Sequence, residues 1–283
     1  MLITDAQVHI WAADRPDRPW PKAGRSTLHR PEPLGSEDLL PQMGQAGVDR
    51  VVIVPPSWEG DRNDLAIAAC RAHPDRFAIM GRLDLLPVDP AVLAGWRAQP
   101  GMLGLRFTVR PEHTWLSDGS ADWVWEGAAR HGLPVMISCV GALPIVDVLA
   151  ARHPNLKLVI DHLALIRTKD AAAFADLPKL LTLARHLNVA AKASALPCFS
   201  SEAYPYRNIH GYIRQVFDAF GPRRMFWGTD LTRLPCSYRQ AVTMFTQELH
   251  WLGGTDLEWV MGRGVCEWLG WALPGASQGA IPV

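Results

Sequence analysis

Eight short apolar runs, separated by longer stretches of helical character, constrain this chain more than any other feature. They cover residues 2–10, 50–54, 77–83, 102–107, 134–139, 156–160, 188–193 and 225–228. Several are apolar at nearly every position, as in VVIV and LKLVI. A strand with one wet face alternates in polarity, whereas a strand covered on both faces does not. These runs therefore predict a parallel sheet.

Helical patterns fill the intervals. Ser36 is placed as the N-cap of a helix carrying Leu39, Leu40 and Met43. Asn63 or Asp64 starts the next, which stops before Pro74. Gly132 supplies a left-handed stop after Arg130-His131. Helices over 122–130, 142–152, 177–187, 210–220 and 238–252 complete the set. Strand and helix alternating about eight times predict a single α/β domain, a (β/α)₈ TIM barrel with extended βα loops. A doubly wound open sheet is the second reading. The barrel is assigned to residues 1–271, and 272–283 form a flexible tail.

Two connections exceed a minimal barrel. Residues 11–35 follow the first strand and are rich in Pro, Arg and Trp; residues 194–209 follow the seventh. Both leave the strand ends where barrel enzymes keep their active sites. Each is either a lid or a packed surface loop.

Lys+Arg and Asp+Glu are both 28, so the chain has no basic excess to bring it to nucleic acid or a membrane surface. No apolar run is long enough to suggest a membrane span. The five cysteines form no C-x-x-C pair, which argues against a disulfide framework or a structural zinc site. The N-terminus lacks the pattern of a signal peptide, and the expected compartment is the cytoplasm. A soluble enzyme acting on a small molecule fits this balance.

Chemistry concentrates at strand ends, which in a barrel point into the mouth. The first strand ends Asp5-Ala6-Gln7-Val8-His9, and alternation puts Asp5, Gln7 and His9 on one face. The sixth ends Asp161-His162, and the eighth ends Gly228-Thr229-Asp230. Two histidines and an aspartate, His9, His162 and Asp230, can bind one divalent metal. Singly, each has a plain structural alternative, such as a capping role for Asp230. Arg106, at the end of the fourth strand, can grip a substrate carboxylate in bidentate fashion or make a salt bridge within the mouth. Lys192 is a charge inside a strand of small apolar residues and needs a partner or a task. Ser138 is placed in the pocket lining, and Trp58 is the aromatic best placed to meet a substrate. Cys139 lacks the accompanying residues of a nucleophile.

The order of these segments resembles a known family. Asp5-Ala6-Gln7-Val8-His9-Ile10-Trp11 is similar to the opening of the amidohydrolase superfamily, where D-x-H-x-H supplies two metal ligands. Residues 158–163 resemble that family's second histidine segment, and residues 221–230 its closing segment. Residues 63–77 and Gly104-Leu105-Arg106 match the amidohydrolase-related branch, which holds 2-pyrone-4,6-dicarboxylate lactonases, fuconolactonases and non-oxidative decarboxylases.

The resemblance implies Asp230 as general base, His162 and His9 as groups that polarise a carbonyl, and Gln7, Arg106, Lys192, Trp58 and Ser138 around the substrate. It also implies a divalent metal, zinc by preference, on His9, His162 and Asp230. One departure bears on that metal: Gln7 stands where the family has its first histidine, and an amide binds zinc poorly beside an imidazole. Metal-bound and metal-free sites are both open at this point. The expected reaction is hydrolysis of a small lactone or cyclic amide, with non-oxidative decarboxylation of an unsaturated or aromatic acid as the alternative. A barrel that binds ligand without turnover is the third reading. The expected partner is a cyclic small molecule, carboxylated in one version, and a homodimer is the assembly such barrels often adopt.

Overall fold

The computed structural model describes residues 1–22, 27–113, 115 and 118–275. The eight runs become β1 Thr4–Val8, β2 Arg50–Ile53, β3 Phe77–Gly81, β4 Met102–Thr108, β5 Val135–Ser138, β6 Leu158–Ile160, β7 Val189–Ser194 and β8 Met225–Gly228. They lie side by side in chain order, all parallel. β8 then returns to β1. Asp230 N–H donates to the Gln7 carbonyl at 2.9 Å, and Thr229 N–H donates to Asp5 Oδ1 at 2.8 Å. Gly228 permits this closure, because a Cβ there would lie 3.2 Å from Ala6 N, Asp5 Oδ1 and the Ser194 Cβ alike. The (β/α)₈ barrel is thus the architecture, and the open sheet is excluded.

Every strand is almost wholly buried, as runs apolar at successive positions require. One apolar cluster, including Val8, Val51, Ile53, Ile79 and Leu105, packs under the surrounding helices. A second, including Ala6, Val52, Ala78, Met136, Val159, Ala190 and Phe226, meets Val265, Cys266 and Leu269 of the last helix, Gly264–Leu269. Arg50 extends this end by donating to the Ala272 carbonyl at 2.6 Å. Residues 276–283, most of the expected tail, lie outside the described residues.

Three local expectations are corrected, and one, the helix start at Asn63, is met. The first helix, Ser36–Ala46, is capped by Gly35, and Ser36 makes no capping bond. Asn63 does precede helix Asp64–Ala72, but its amide bonds the Arg82 backbone in both directions at 2.8 Å and so ties the end of β3. Gln7 and His9 do meet, their side-chain nitrogens 3.5 Å apart, but Asp5 does not join them. The β1 register shifts between Asp5 and Val8, and such a bulge breaks the two-residue alternation. Asp5 instead accepts bonds from Thr229 and, at 2.8 Å, from the Tyr238 hydroxyl. The helix expected over 238–252 ends in a π turn, Met244–Glu248.

Candidate active site

The C-terminal ends of the strands surround a cavity of about 560 Å³. His9, Trp58, Arg106, Ser138, His162 and Asp230 all line it, together with His29. Gln7 and Lys192 are fully buried and are not among its lining residues. They lie within the barrel, in contact with the residues that line the cavity.

Asp230 and His162 each lie two residues beyond a strand end, in the left-handed region, at φ 52° and 50°. Non-glycine residues adopt this conformation at a cost of about 1–2 kcal/mol, and it clusters at functional sites. Here the turn ends the strand abruptly and leaves both side chains facing the mouth. His9 is set differently. Its Nδ1 lies 2.5 Å from the Val54 carbonyl, which only accepts, so Nδ1 carries the hydrogen. Its Nε2 therefore faces Asp230 Oδ1, 3.1 Å away. Trp58 packs edge-on against His9 and His29, with ring centroids at 5.4 and 4.8 Å.

His29 comes from the long loop after β1, and sequence reasoning missed it. The loop is packed. Glu59, buried beside Trp58, accepts the Ala12 N–H at 3.2 Å and Arg18 Nε at 3.0 Å, while Arg18 also grips Asp64. His29 then bonds Thr232 through Nδ1 at 2.8 Å and brings Nε2 to 4.0 Å from Asp230 Oδ2. The end of β7 supports the site from another side, where Ser194 Oγ bonds His162 Nδ1 at 2.8 Å.

Burial pushes the Asp230 carboxyl up, but His9, His162 and His29 together hold it well below the usual carboxylate range. Burial pulls His29 down to about 3 and His162 to about 4. Around neutral pH the site is therefore an ionised carboxylate with His29 and His162 neutral. Cys139 is also fully buried, and desolvation pushes its thiol up, so it offers no nucleophile.

Beneath this centre lies a charged group that the sequence half revealed. Lys192 pairs with Asp161 Oδ1 at 2.8 Å and also donates to Gln7 Oε1. Arg106 Nε reaches the other Asp161 oxygen at 3.3 Å. Because an ammonium only donates, Lys192 fixes the Gln7 amide with its oxygen inward. The Gln7 NH₂ then points at Nε2 of both His9 and His162, 3.5 Å from each. Gln7 thus presents hydrogen-bond donors where the family's histidine would present a lone pair.

The donor atoms still suit a metal, on a different set from the expected one. His9, His29 and Asp230 each offer a ligand atom, all within 4.8 Å of one another. His162 is outside that group, with Nε2 3.7 Å from Asp230 Oδ2. Asp230 Oδ1 is buried without a hydrogen-bond partner and faces His9 Nε2, so a positive centre, a proton or a cation, belongs between them.

Comparison with known proteins follows the same lines. Residues 4–268 match a protein family described as Amidohydrolase. An L-fucono-1,5-lactonase of Burkholderia ambifaria is 30% identical over 235 residues, spanning 80% of this chain and 79% of that protein. A zinc-bound amidohydrolase from Burkholderia multivorans superposes with a TM-score of 0.78 at 22% identity, over 95% of this chain and 99% of the other. A probable 2-pyrone-4,6-dicarboxylic acid hydrolase from Acinetobacter baumannii, with citric acid bound, gives 0.77 at 16% identity, over 96% and 100%.

Proposed function

The chain belongs to the amidohydrolase family, and from that footing we propose that it hydrolyses a small lactone. The observation that carries this reading is an ionised Asp230 on the wall of an open cavity, among three imidazoles. Asp230 holds a water and accepts its proton as the oxygen attacks the ring carbonyl. His162 and His9 flank the attacked carbonyl and position it against the water. The ring C–O bond breaks, and the departing oxygen takes the proton from Asp230, which leaves a hydroxy acid and restores the base. Decarboxylation would not call on a water-activating base, so an ionised carboxylate at this place favours hydrolysis.

His9, His29 and Asp230 are the residues that would hold a divalent ion, zinc by their two-imidazole, one-carboxylate donor set, and bound there it would polarise a carbonyl. Gln7 and Lys192 act as positioning residues that hold the histidine rings. Trp58 and Ser138 shape the wall, and Arg106 binds the substrate away from the reacting bond.

The test is Asp230→Asn, assayed by proton release during hydrolysis of aldonolactones. A fall in kcat of about 10²–10⁴-fold is expected, with an unchanged circular dichroism spectrum. Undiminished turnover in the folded variant removes Asp230 as the base.

A further inference from the structure

The reaction centre is rich in hydrogen-bond acceptors and short of donors. His9 Nδ1 carries its hydrogen toward the Val54 carbonyl, which leaves Nε2 as a lone pair facing Asp230. The Gln7 NH₂ points at Nε2 of both His9 and His162, so the His162 hydrogen lies on Nδ1, against Ser194 Oγ. Asp230, an ionised carboxylate, only accepts. A proton placed between His9 and Asp230 is spent within that pair. When water attacks a lactone carbonyl, the C=O π pair moves onto oxygen, and the oxyanion so formed needs donors aimed at it. His9, His162 and Asp230 leave that need unmet.

Arg233 is placed to meet it. Asp230 is followed by the single turn Leu231–Arg233, closed by the Arg233 N–H donating to the Asp230 carbonyl at 2.9 Å. The turn brings the Arg233 side chain back over Asp230, where Nη1 donates to Oδ2 at 3.3 Å. Among the described residues, no other arginine or lysine pairs with Asp230. The side chain is 20% exposed and lines the cavity. The segment after β7 holds it from behind: the guanidinium carbon lies 6.0 Å over the Phe199 ring, and the Cys198 thiol donates to the Arg233 carbonyl at 3.3 Å. Apart from the bond to Asp230, the guanidinium donors make no hydrogen bond to a described residue. His29, whose Nε2 lies 4.0 Å from the same Asp230 oxygen, adds at most a neutral donor. A charged donor bonds an anion about twice as strongly as a neutral one.

We propose that Arg233 is a catalytic residue, the group that takes up the negative charge of the tetrahedral intermediate beside the base. This rests on the reading of the cavity as a lactonase site. The water oxygen bonds the carbonyl carbon and gives its proton to Asp230, while the π pair becomes an oxyanion held by Arg233. That pair then re-forms the C=O, the ring C–O bond breaks, and the departing oxygen takes the proton from Asp230. Arg233 keeps its protons throughout, as a guanidinium does. Base and electrophile thus come from one turn, three residues apart.

The test is Arg233→Ala, assayed on a panel of 1,4- and 1,5-aldonolactones and by calorimetric titration with 2-hydroxy-1,2-oxaborolane. That cyclic boronic ester adds water to give a tetrahedral anion and so stands in for the intermediate. Loss of one oxyanion donor supports a fall in kcat of about 10²–10³-fold, with KM little changed. Guanidinium chloride below denaturing concentration should restore part of that kcat, and sodium chloride should not. Oxaborolane affinity should fall by about 10–100-fold, and by the same factor when Arg233→Ala is made in Asp230→Asn. Arg233→Lys, which keeps the charge, should fall between, and it serves if the Ala variant does not fold. A lactonase whose kcat survives Arg233→Ala overturns the proposal and leaves the lactonase reading intact. An affinity loss that vanishes in Asp230→Asn also overturns it, because Arg233 then acts only by positioning Asp230. If the wild type hydrolyses no lactone but binds the oxaborolane through Arg233, the anion-holding role stands and the lactonase reading falls.

Discussion

Replacing Lys192 with Met tests the buried charges that support the site. The two side chains are similar in length, so little packing is lost and the effect is electrostatic. Lys192 is fully buried, as is its partner Asp161, and their separation is 2.8 Å. Burial pulls the ammonium below its ordinary value, but Asp161 opposes this. Burial likewise pushes the Asp161 carboxyl up, but Lys192 and then Arg106 bring it below its ordinary value. Both directions describe a charged pair. Removing one partner from a buried pair costs about 3–5 kcal/mol. Asp161 retains Arg106, at 3.3 Å, so the lower end, about 3 kcal/mol, is expected. At roughly 2 °C per kcal/mol for a chain of this size, Tm falls by about 6 °C in calorimetry. Asp161→Asn in the same chain should restore part of the loss, with a coupling of about 1–3 kcal/mol between the two sites. A single variant that loses under about 1 kcal/mol, or additive losses in the double variant, would refute the pair as a structural unit.

Two further outcomes follow from the site. Burial pushes the Asp5 carboxyl up to about 6, against donors from Thr229, Gln7 and Tyr238. The folded chain thus holds that proton more tightly than the unfolded one, whose value is near 3.8. The stability it contributes is full below the lower value and is lost as pH rises through about 6. The wild-type Tm should therefore decline more steeply than that of Asp5→Asn between about pH 4 and 6, and parallel curves would contradict this. His29→Ala should weaken zinc binding by at least about 10–100-fold in a competition titration against a chromogenic chelator; unchanged affinity would remove His29 from the ligand set.

The barrel was legible in the sequence because its strands are covered on both faces, and burial writes itself into composition one position at a time. Runs such as Val51-Val52-Ile53-Val54 need no knowledge of their neighbours to be recognised. The helix starts were less legible. Ser36 has the chemistry of a cap, but the chain turns one residue earlier, at a glycine. Alternation puts Asp5, Gln7 and His9 on one face, but it holds only while the register does, and the pairing of β1 with β2 shifts between Asp5 and Val8. Lys192 announced itself as a charge among small apolar residues, yet its partner Asp161 lies on the neighbouring chain segment after β6, where only pairing in space can assign it.

His29 was invisible for a stronger reason. Nothing periodic surrounds it, and its position follows from Glu59 gripping Ala12 and Arg18 on the same loop, contacts between residues more than forty apart in sequence. The same limit explains where the site itself departs from local preference. Asp230 and His162 occupy left-handed turns that a glycine would adopt at less cost, so no propensity could place them. The fold holds them there through bonds made elsewhere: Asp230 N–H to the Gln7 carbonyl, His162 Nδ1 to Ser194. A carboxylate and an imidazole are thus kept in conformations their own segments disfavour. Substituting glycine at position 230 or 162 is therefore expected to ease the backbone while removing the carboxylate or imidazole that the proposed reaction uses.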